Sequence, residues 1–449
     1  MARRVMVFWW VLVLALAVGE VRGAWGMATI VAGPMVGHVT NSSARLWMQL
    51  STTETVTVKV LDIRNREVGG AITLDVEGPA PFVVDVPLSG LEANRTYRLE
   101  VLFGKEPAKM PEPAVLIRTA PPPGDAASWT LAFGSCLEPN IVKPMEVFKG
   151  IEAVNPLVFL FIGDCGYLPN AMDGFPAKHR DAYRTICDMH KRIRLAPEMQ
   201  KLLRTTAVYG VWDDHDFGTN DADKSFVFAK ESLVAWERYW ANPGYGEPEK
   251  ENPGVYCKFG VGDVDVFMLD GRMYRDGDKD PERKTMLGDV QLAWLKKGLL
   301  ESKATFKVIA SGSQVLPTDT GWDTWGNYKV ERDEFIKWLF ENKVGGVMFV
   351  TGDRHFGEMT VRKPEAKDTK QYPLVELTSS PLAQQVADAA EWKVANPERE
   401  GALVDEINFG TIEFGGPVGK RHATLRLRDV KGEVKVEKIV YEGELRGEW

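Results

Sequence analysis

Side chains that can bind metal ions or move protons follow several apolar, strand-like segments of this sequence. In open α/β sheets, binding sites form at the carboxyl ends of strands, where the loops converge. We therefore expect the polar residues at these ends to share one site. They are Cys136 after WTLAFGS, Asp164 after PLVFLFIG, Asp213, Asp214, His215 and Asp216 after AVYGVW, Asp270 and Arg272 after VDVFML, and Asp353 and His355 after GGVMFVTG.

Carboxylates that face one another raise each other's pKa unless cations neutralise them. Metal ions are therefore the expected partners of this acidic group. The oxygen ligands Asp164, Asp214, Asn220 and Asp353 suit a hard ion such as calcium, magnesium or manganese. Asp213, next to them in the chain, is predicted either to bind an ion or to orient the neighbouring histidine.

A second group of predicted ligands is chemically softer. The thiolate of Cys136, the phenolate of Tyr167 and the imidazole of His355 suit a transition metal, with ferric iron (Fe³⁺) as the first choice. Asp164 can bridge the two ions. Paired ions about 3.5–4 Å apart are a general device for activating water and holding a phosphoryl group, so the pattern predicts phosphoryl chemistry.

Each motif taken alone has a simpler structural interpretation. A Gly-Asp pair after a strand is commonly a turn closed by an Asx hydrogen bond, Cys136 can be a buried thiol, and His215 can be a structural histidine. The four cysteines also permit two disulfides in an oxidising compartment. The four consecutive polar residues 213–216 favour a site, because such groups need solvent or ions after a strand.

The elements that would position these residues change in type along the chain. From Ile30 to Thr119, short segments alternate apolar and polar residues, the pattern of half-buried antiparallel strands. Tyr97 lies where fibronectin type III-like sandwiches often carry a corner tyrosine. The run APPPGDAAS is typical of a linker. After it, strand and helix patterns alternate, which predicts an α/β domain with packed sheets.

The first 23 residues differ from the rest of the chain. Arg3 and Arg4 precede an apolar run from Val5 to Val18, and small residues follow, as in a secretory signal. The run is short for a membrane span, so membrane contact is expected only through this signal or an uncleaved anchor. The arginine pair also permits twin-arginine export. The sequence thus predicts an exported protein, in the periplasm, outside the cell or on its surface.

The composition is that of a globular protein long enough for two domains. The 449 residues are 44% hydrophobic and 26% charged, and the formal net charge is −8. Binding to a nucleic-acid backbone needs a net basic surface. No nucleic-acid-binding module is therefore expected.

Six motifs, taken in order, resemble those of the PhoD-like alkaline phosphatases in the calcineurin-like metallophosphoesterase superfamily: FGSC, FIGDCGY, VWDDHDFGTND, LDGRMYR, WGNYKVERDEF and VTGDRHF. The resemblance implies an α/β fold of metallophosphoesterase type, with packed β-sheets flanked by helices after a small fibronectin III-like β-sandwich. The expected parts are a signal peptide (1–23), an N-terminal β-sandwich domain (27–121), a linker (122–128) and a PhoD-like metallophosphatase domain (129–449).

The resemblance also implies ligands for two metals. The implied iron ligands are Cys136, Asp164, Tyr167 and His355. The implied calcium ligands are Asp164, Asp214 or Asn220, and Asp353, with magnesium or manganese as alternative ions. Asp214 stands where the wider superfamily has the asparagine of GNHE, and Asp353 where it has the first histidine of GHxH. The family shares these exchanges, which explain how a chain with six histidines could hold two metals.

Two further residues receive roles from the resemblance. His215 stands where the superfamily has the histidine that protonates the leaving group. Arg272 is a candidate phosphate clamp, since a guanidinium fork matches phosphate oxygens.

These assignments predict a secreted metal-dependent phosphoesterase that hydrolyses phosphate mono- or diesters, small or polymeric, by attack of a metal-activated hydroxide. One alternative is a phosphodiesterase or phospholipase D-like enzyme with a specific substrate. Another is a non-catalytic secreted binding protein whose metals brace its loops. The sequence predicts neither the natural substrate nor the oligomeric state.

Overall fold

The computed structural model describes residues 28–141, 145–168, 178–277, 284–318, 323–364, 370–388 and 396–447. The predicted signal peptide lies outside these residues. No helix within them is both long and apolar enough to cross a membrane. The described chain forms two small antiparallel sheets followed by two larger mixed sheets, as the predicted fold class requires.

The N-terminal part is a sandwich of two antiparallel sheets. Its strands are β1 (Ile30–Val39), β2 (Ser43–Leu50), β3 (Glu54–Leu61), β4 (Glu67–Val76), β5 (Phe82–Ser89), β6 (Thr96–Phe103), β7 (Glu106–Pro107) and β8 (Leu116–Arg118). One sheet has the order β1-β2-β5, and the other has the order β4-β3-β6-β7 with β8 beside β6. Tyr97 is buried and accepts a hydrogen bond from the backbone N–H of Glu92 at 2.8 Å, the contact that defines a corner tyrosine.

Residues 119–128 form neither helix nor strand, and the predicted linker at 122–128 lies among them. The strands that follow are β9 (Trp129–Gly134), β10 (Val158–Ile162), β11 (Ala207–Val211), β12 (Gly246–Glu247), β13 (Asn252–Pro253), β14 (Cys257–Val261), β15 (Val264–Met268), β16 (Phe306–Ser311), β17 (Val347–Thr351), β18 (Glu358–Arg362), β19 (Leu374–Thr378), β20 (Asn408–Gly415), β21 (His422–Asp429) and β22 (Val434–Tyr441).

These strands build two six-stranded sheets and a short β12-β13 ladder. The first sheet has the order β11-β10-β9-β20-β21-β22, with β9, β10 and β11 parallel and the other three antiparallel. The second has the order β14-β15-β16-β17-β19-β18, with β15, β16, β17 and β19 parallel between antiparallel edge strands. Their apolar residues belong to one buried core, where Phe306 and Phe414 have ring centroids 5.6 Å apart.

Seven α-helices surround the sheets in the described residues. They are α1 (Val147–Val154), α2 (His179–Arg194), α3 (Gln200–Thr205), α4 (Asp214–Phe217), α5 (Ala229–Tyr239), α6 (Gly288–Glu301) and α7 (Lys329–Glu341). The helical patterns in MEVFKGIEA, EMQKLLRTT, FVFAKESLVAWERYW, QLAWLKKGLLES and ERDEFIKWLFENKV predict α1, α3, α5, α6 and α7. They do not predict α2 or the single turn of α4. Helix α2 is strongly polar, and its buried face, which includes Ile186 and Ile193, also carries His190 and Arg194. These polar residues interrupt the apolar period and make it easy to overlook.

Candidate metal centre

The strand-end residues share one register position. Cys136, Asp164, Asp213, Asp270 and Asp353 each lie two residues beyond the last residue of their strand, which is β9, β10, β11, β15 and β17 in turn. Within each sheet these strands are parallel neighbours or separated by one strand, so their carboxyl ends meet at the same edge. The sheets therefore place at one end of the core the residues that the sequence spreads over more than two hundred positions.

The backbone at four predicted ligands is in the left-handed region. The φ angle is 56° at Cys136, 53° at Asp164, 70° at Asp353 and 55° at His355. Such angles are uncommon in residues other than glycine and cost roughly 1–3 kcal/mol each. They persist only where the surrounding structure enforces them, and they cluster at functional sites. The repeated left-handed conformation indicates that the fold accepts a cost in stability at these strand ends in order to position the four side chains.

The four predicted iron ligands form one connected set of side chains. Asp164 Oδ2 lies 3.6 Å from Cys136 Sγ and 3.4 Å from the Tyr167 hydroxyl. That hydroxyl lies 3.5 Å from Nε2 of His355. A thiol, a phenol, a carboxyl and an imidazole at these separations are a donor set that suits a transition metal.

The carboxylates form a second, overlapping group. Potential ligand atoms of Asp213, Asp214 and Asp353 lie within 4.8 Å of one another, and so do those of Asp164, Asp214 and His215. Asp214 belongs to both sets. The predicted oxygen ligands Asp164, Asp214 and Asp353 are thus brought together.

The charges of this group are poorly compensated by the protein. Burial, followed by the charge of Asp214, holds the pKa of Asp164 well above its usual range. Burial and the charge of Asp213 do the same for Asp353. Burial also lowers the pKa of His355 to about 4, which leaves a neutral ring able to offer a lone pair. A cation among these side chains would favour the ionised carboxylates, so the residues present fit a bound metal.

Arg272 is fully buried, and its guanidinium is already bound to two carboxylates. Nε donates to Asp213 Oδ1 at 2.5 Å, and Nη2 donates to Asp323 Oδ2 at 2.5 Å. Arg275 also donates to Asp323. The expected contact of Arg272 with phosphate would require breaking a buried ion pair. A role in holding Asp213 therefore fits this geometry better than the predicted phosphate clamp.

The second carboxylate oxygen of Asp213, Oδ2, is in a different environment from the first. Oδ2 is buried and has no hydrogen-bond partner among the described residues. The side chain lies between Gly163 and Gly312, where a Cβ on either glycine would come within 2.6 Å of an Asp213 atom. The two glycines therefore make room for this carboxylate. The sequence leaves the role of Asp213 open, and these glycines after β10 and β16 are the signal that could have favoured a place in the site.

Asn220 and Asp216 are hydrogen-bonded to groups other than the predicted ligand atoms. The Asn220 side chain is exposed and donates to Asp221 Oδ2 at 2.6 Å, and no hydrogen bond among the described residues joins that side chain to the other predicted ligands. The oxygens of Asp216 accept the backbone N–H groups of Cys165 at 2.8 Å and Asp213 at 3.1 Å. Asp216 thus shapes the loops that carry Asp164 and Asp213.

His215 is tied to the ligands through its backbone. Its N–H lies 3.0 Å from Asp214 Oδ1 and 3.3 Å from Asp164 Oδ1. The ring is partly exposed and lies against Tyr167, with centroids 4.3 Å apart. It therefore borders the carboxylate group while keeping part of its surface accessible.

All four cysteines are buried thiols in this structure. The alternative of two disulfides is therefore wrong for the folded chain as described. Cys165 contacts the backbone carbonyl of Gly163, and the neighbouring Cys136 is the thiol that contacts the carboxylate group.

Comparisons with known proteins cover both parts of the chain. A family model described as PhoD-like phosphatase matches residues 131–418, and one described as a domain of unknown function (DUF7800) matches residues 27–119. Alkaline phosphatase D of Bacillus subtilis (strain 168) is 26% identical over 316 residues, which are 61% of this chain and 53% of that protein. The chain thus spans about half the length of this relative.

The fold also matches a solved structure described as the structure of PhoD. The TM-score is 0.74 at 19% identity, over 95% of this chain and 93% of that one. At this identity the match concerns the fold, and it includes both the sandwich and the two larger sheets.

Proposed function

Because this chain belongs to the PhoD-like phosphatase family, whose model matches residues 131–418, we propose that it is a metal-dependent hydrolase of phosphate esters. The observation that carries the proposal is the buried carboxylate group beside a thiol, a phenol and an imidazole. Similarity to a protein named alkaline phosphatase D supports the same class of reaction.

We assign the metals by the chemistry of the donors. The proposed ligands of a ferric iron are Cys136, Asp164, Tyr167 and His355. The proposed ligands of calcium, or of magnesium or manganese in its place, are Asp164, Asp213, Asp214 and Asp353. Asn220, the remaining predicted ligand, could join them only if its exposed side chain turned away from Asp221. When bound, such a pair of ions polarises a phosphoryl group and lowers the pKa of bound water.

The chain's own residues supply positioning and proton transfer. Arg272 donates a hydrogen bond to one oxygen of Asp213 and thereby fixes the orientation of the whole carboxylate, including its other oxygen. His215 is the proposed donor of the proton to the leaving-group oxygen, because its partly exposed ring borders the carboxylates. The contacts of the His215 backbone N–H with Asp164 and Asp214 fix the position of the backbone from which the His215 side chain extends. General acid catalysis of this kind typically contributes about 10²- to 10⁴-fold.

The proposed substrates are phosphate mono- or diesters, small or polymeric, outside the cytoplasm. Export is proposed from the basic and apolar pattern of residues 1–23, and N-terminal sequencing of the mature protein would test it. The family-model match over residues 27–119 supports treating the sandwich as a domain of its own.

Elemental analysis of the purified mature protein, paired with hydrolysis of p-nitrophenyl phosphate and bis-p-nitrophenyl phosphate, tests the proposal. We expect iron together with calcium, and turnover that a chelator abolishes. The ratio of the two rates ranks monoesters against diesters. A protein that binds both metals and cleaves neither ester would instead favour the metal-braced binding protein. A protein that binds no metal would overturn the assignment of the site.

A further inference from the structure

A cavity lies between the N-terminal sandwich and the helices α2 and α3. Its volume is about 280 Å³. One wall is apolar and includes Ile30 and Met110, and the other carries Lys109, Arg194, Gln200 and Arg204. No acidic side chain lines it. The cavity therefore combines three cationic groups with an apolar surface and shares no residue with the proposed metal centre.

Two of these cations are buried without an ion-pair partner among the described residues. Arg194 and Arg204 are 2% and 4% exposed, and neither forms an ion pair among the residues that the structure describes. Proteins rarely bury a charge unless it is paired. Burial accordingly lowers the pKa of Arg194 to about 10 and also lowers that of Arg204. The charge of the exposed Glu112 side chain also acts on Arg204, but the two side chains form no ion pair in the described structure.

Neutral groups satisfy both guanidiniums in part. Arg194 donates to the backbone carbonyls of His190, at 3.0 Å, and Tyr239, and lies 4.6 Å from the ring centroid of Trp240. Arg204 donates to the Glu112 carbonyl and to Gln200 Oε1, the latter at 2.6 Å. The Nε of each arginine has no hydrogen-bond partner in the described structure. Carbonyls and rings thus hold the two side chains in place, but neither positive charge has an ion-pair partner among the described residues.

We propose that this cavity binds a small organic anion, a carboxylate or phosphoryl head group with an apolar body. The head would lie among Arg194, Arg204 and Lys109, since guanidinium groups match carboxylate and phosphate oxygens. The body would lie against Ile30 and Met110. Lys109 is exposed and forms no ion pair within the described ranges, so it would add attraction at the mouth of the cavity.

Calorimetric titration of the metal-loaded protein tests this site. Hexanoate serves as the carboxylate probe, and hexylphosphonate, which has no ester bond to cleave, as the phosphoryl probe. Saturable binding of either probe, at one site that persists in the Asp164→Asn variant, is expected. Persistence in that variant separates this cavity from the proposed metal centre, so the two proposals can fail independently.

Charge-reversal variants locate the binding. Lys109→Glu should weaken the bound probe by roughly fivefold or more and leave turnover unchanged. Lys105→Glu is the matched control, because Lys105 is also exposed in the sandwich and does not line the cavity. Arg204→Gln should weaken binding by roughly tenfold or more, and circular dichroism shows whether that variant is folded.

Three outcomes would overturn the proposal. One is no saturable binding of either probe, which would assign the arginines a purely structural role in joining the sandwich to the helices. Another is equal weakening by Lys109→Glu and Lys105→Glu, which would indicate only long-range charge. The third is binding that disappears in Asp164→Asn, which would place the probe at the metal centre. The better probe then tells whether the natural head group is a carboxylate or a phosphoryl group.

Discussion

Asp164 and Asp270 occupy the same position in the two larger sheets but have opposite surroundings. Each lies two residues after a buried parallel strand, and they are 2% and 0% exposed. Asp270 accepts four N–H hydrogen bonds from the protein. Its donors, at 2.6–3.0 Å, are the Trp212 indole and the backbones of Val255, Arg272 and Met273.

Asp164 has far less support from the protein. Among the described residues one N–H donates to it, the backbone of His215 at 3.3 Å. Its other donors are the more distant Tyr167 hydroxyl at 3.4 Å and Cys136 thiol at 3.6 Å, and its close neighbours include the acidic Asp214. A buried carboxylate that the protein surrounds with donors is structural, whereas one surrounded by other carboxylates needs a cation. The number of hydrogen bonds that an aspartate accepts from the protein, and not its position on the strand, thus separates a structural aspartate from a metal ligand.

The variant Asp164→Asn should have the largest effect at the site. The amide removes the anionic ligand that both proposed ions share, so we expect loss of both metals and a fall in kcat/KM of at least roughly 10³-fold. Elemental analysis and ester hydrolysis measure the two losses. A variant with full metal content and normal turnover would show that Asp164 is not the shared ligand.

Asp213→Asn probes a carboxylate that combines both situations, since one oxygen is bound by Arg272 and the other has no partner. The amide can keep the arginine contact but loses the charge at the second oxygen. We expect the harder ion to bind roughly 10- to 100-fold more weakly, while iron is retained. Metal titration followed by elemental analysis distinguishes the two ions. Unchanged affinity for both would assign Asp213 to the fold alone.

Asp270→Asn should lower the stability of the protein without affecting metal binding. One side-chain N–H₂ would then face backbone N–H donors, which leaves buried groups unsatisfied. We expect the free energy of unfolding to fall by roughly 2–4 kcal/mol, measured with urea, while the folded protein keeps its metals. Loss of metal from a folded variant would instead mean that Asp270 belongs to the metal centre.

Glu376 is a third buried carboxyl group, with protein donors like those of Asp270 but with a pKa near neutral. It is 0% exposed and accepts hydrogen bonds from Thr351 Oγ1 at 2.7 Å and from the backbone N–H of Leu316 at 2.5 Å. Burial raises its pKa from the usual 4.5 to about 7. The folded state thus favours the protonated form of Glu376. The resulting contribution to the free energy of unfolding is fully present below pH 4.5 and is lost as the pH rises to about 7.

The variant Glu376→Gln should remove that pH dependence. We expect the wild type, relative to the variant, to lose roughly 3 kcal/mol of unfolding free energy between these two pH values. Urea unfolding of both proteins at each pH measures the difference, and metal content should not change. An equal difference at both pH values would show that Glu376 stays ionised in the fold.

Much of the fold and of the candidate site follows from the sequence. Alternating segments predicted the sandwich, including the contact of Tyr97, and apolar runs predicted the strands whose ends carry Cys136, Asp164 and Asp353. Helix α2 was not predicted, because most of its residues are polar and His190 and Arg194 interrupt its buried face. The phosphate-binding role of Arg272 stays a prediction, and its burial against Asp213 and Asp323 could not be predicted, since composition and motif do not reveal which partner a guanidinium meets.

Periodicity and strand ends are local properties of the chain, so they could be predicted together with the chemical groups at those ends. Which carboxylates have an oxygen without a hydrogen-bond partner depends instead on the tertiary structure. Arg272 is 59 residues from Asp213, and Trp212 is 58 residues from Asp270. Hydrogen-bond partners so far apart in sequence are chosen by how the sheets pack. That packing leaves Asp270 satisfied and Asp164 among other acids, and so places the proposed metals.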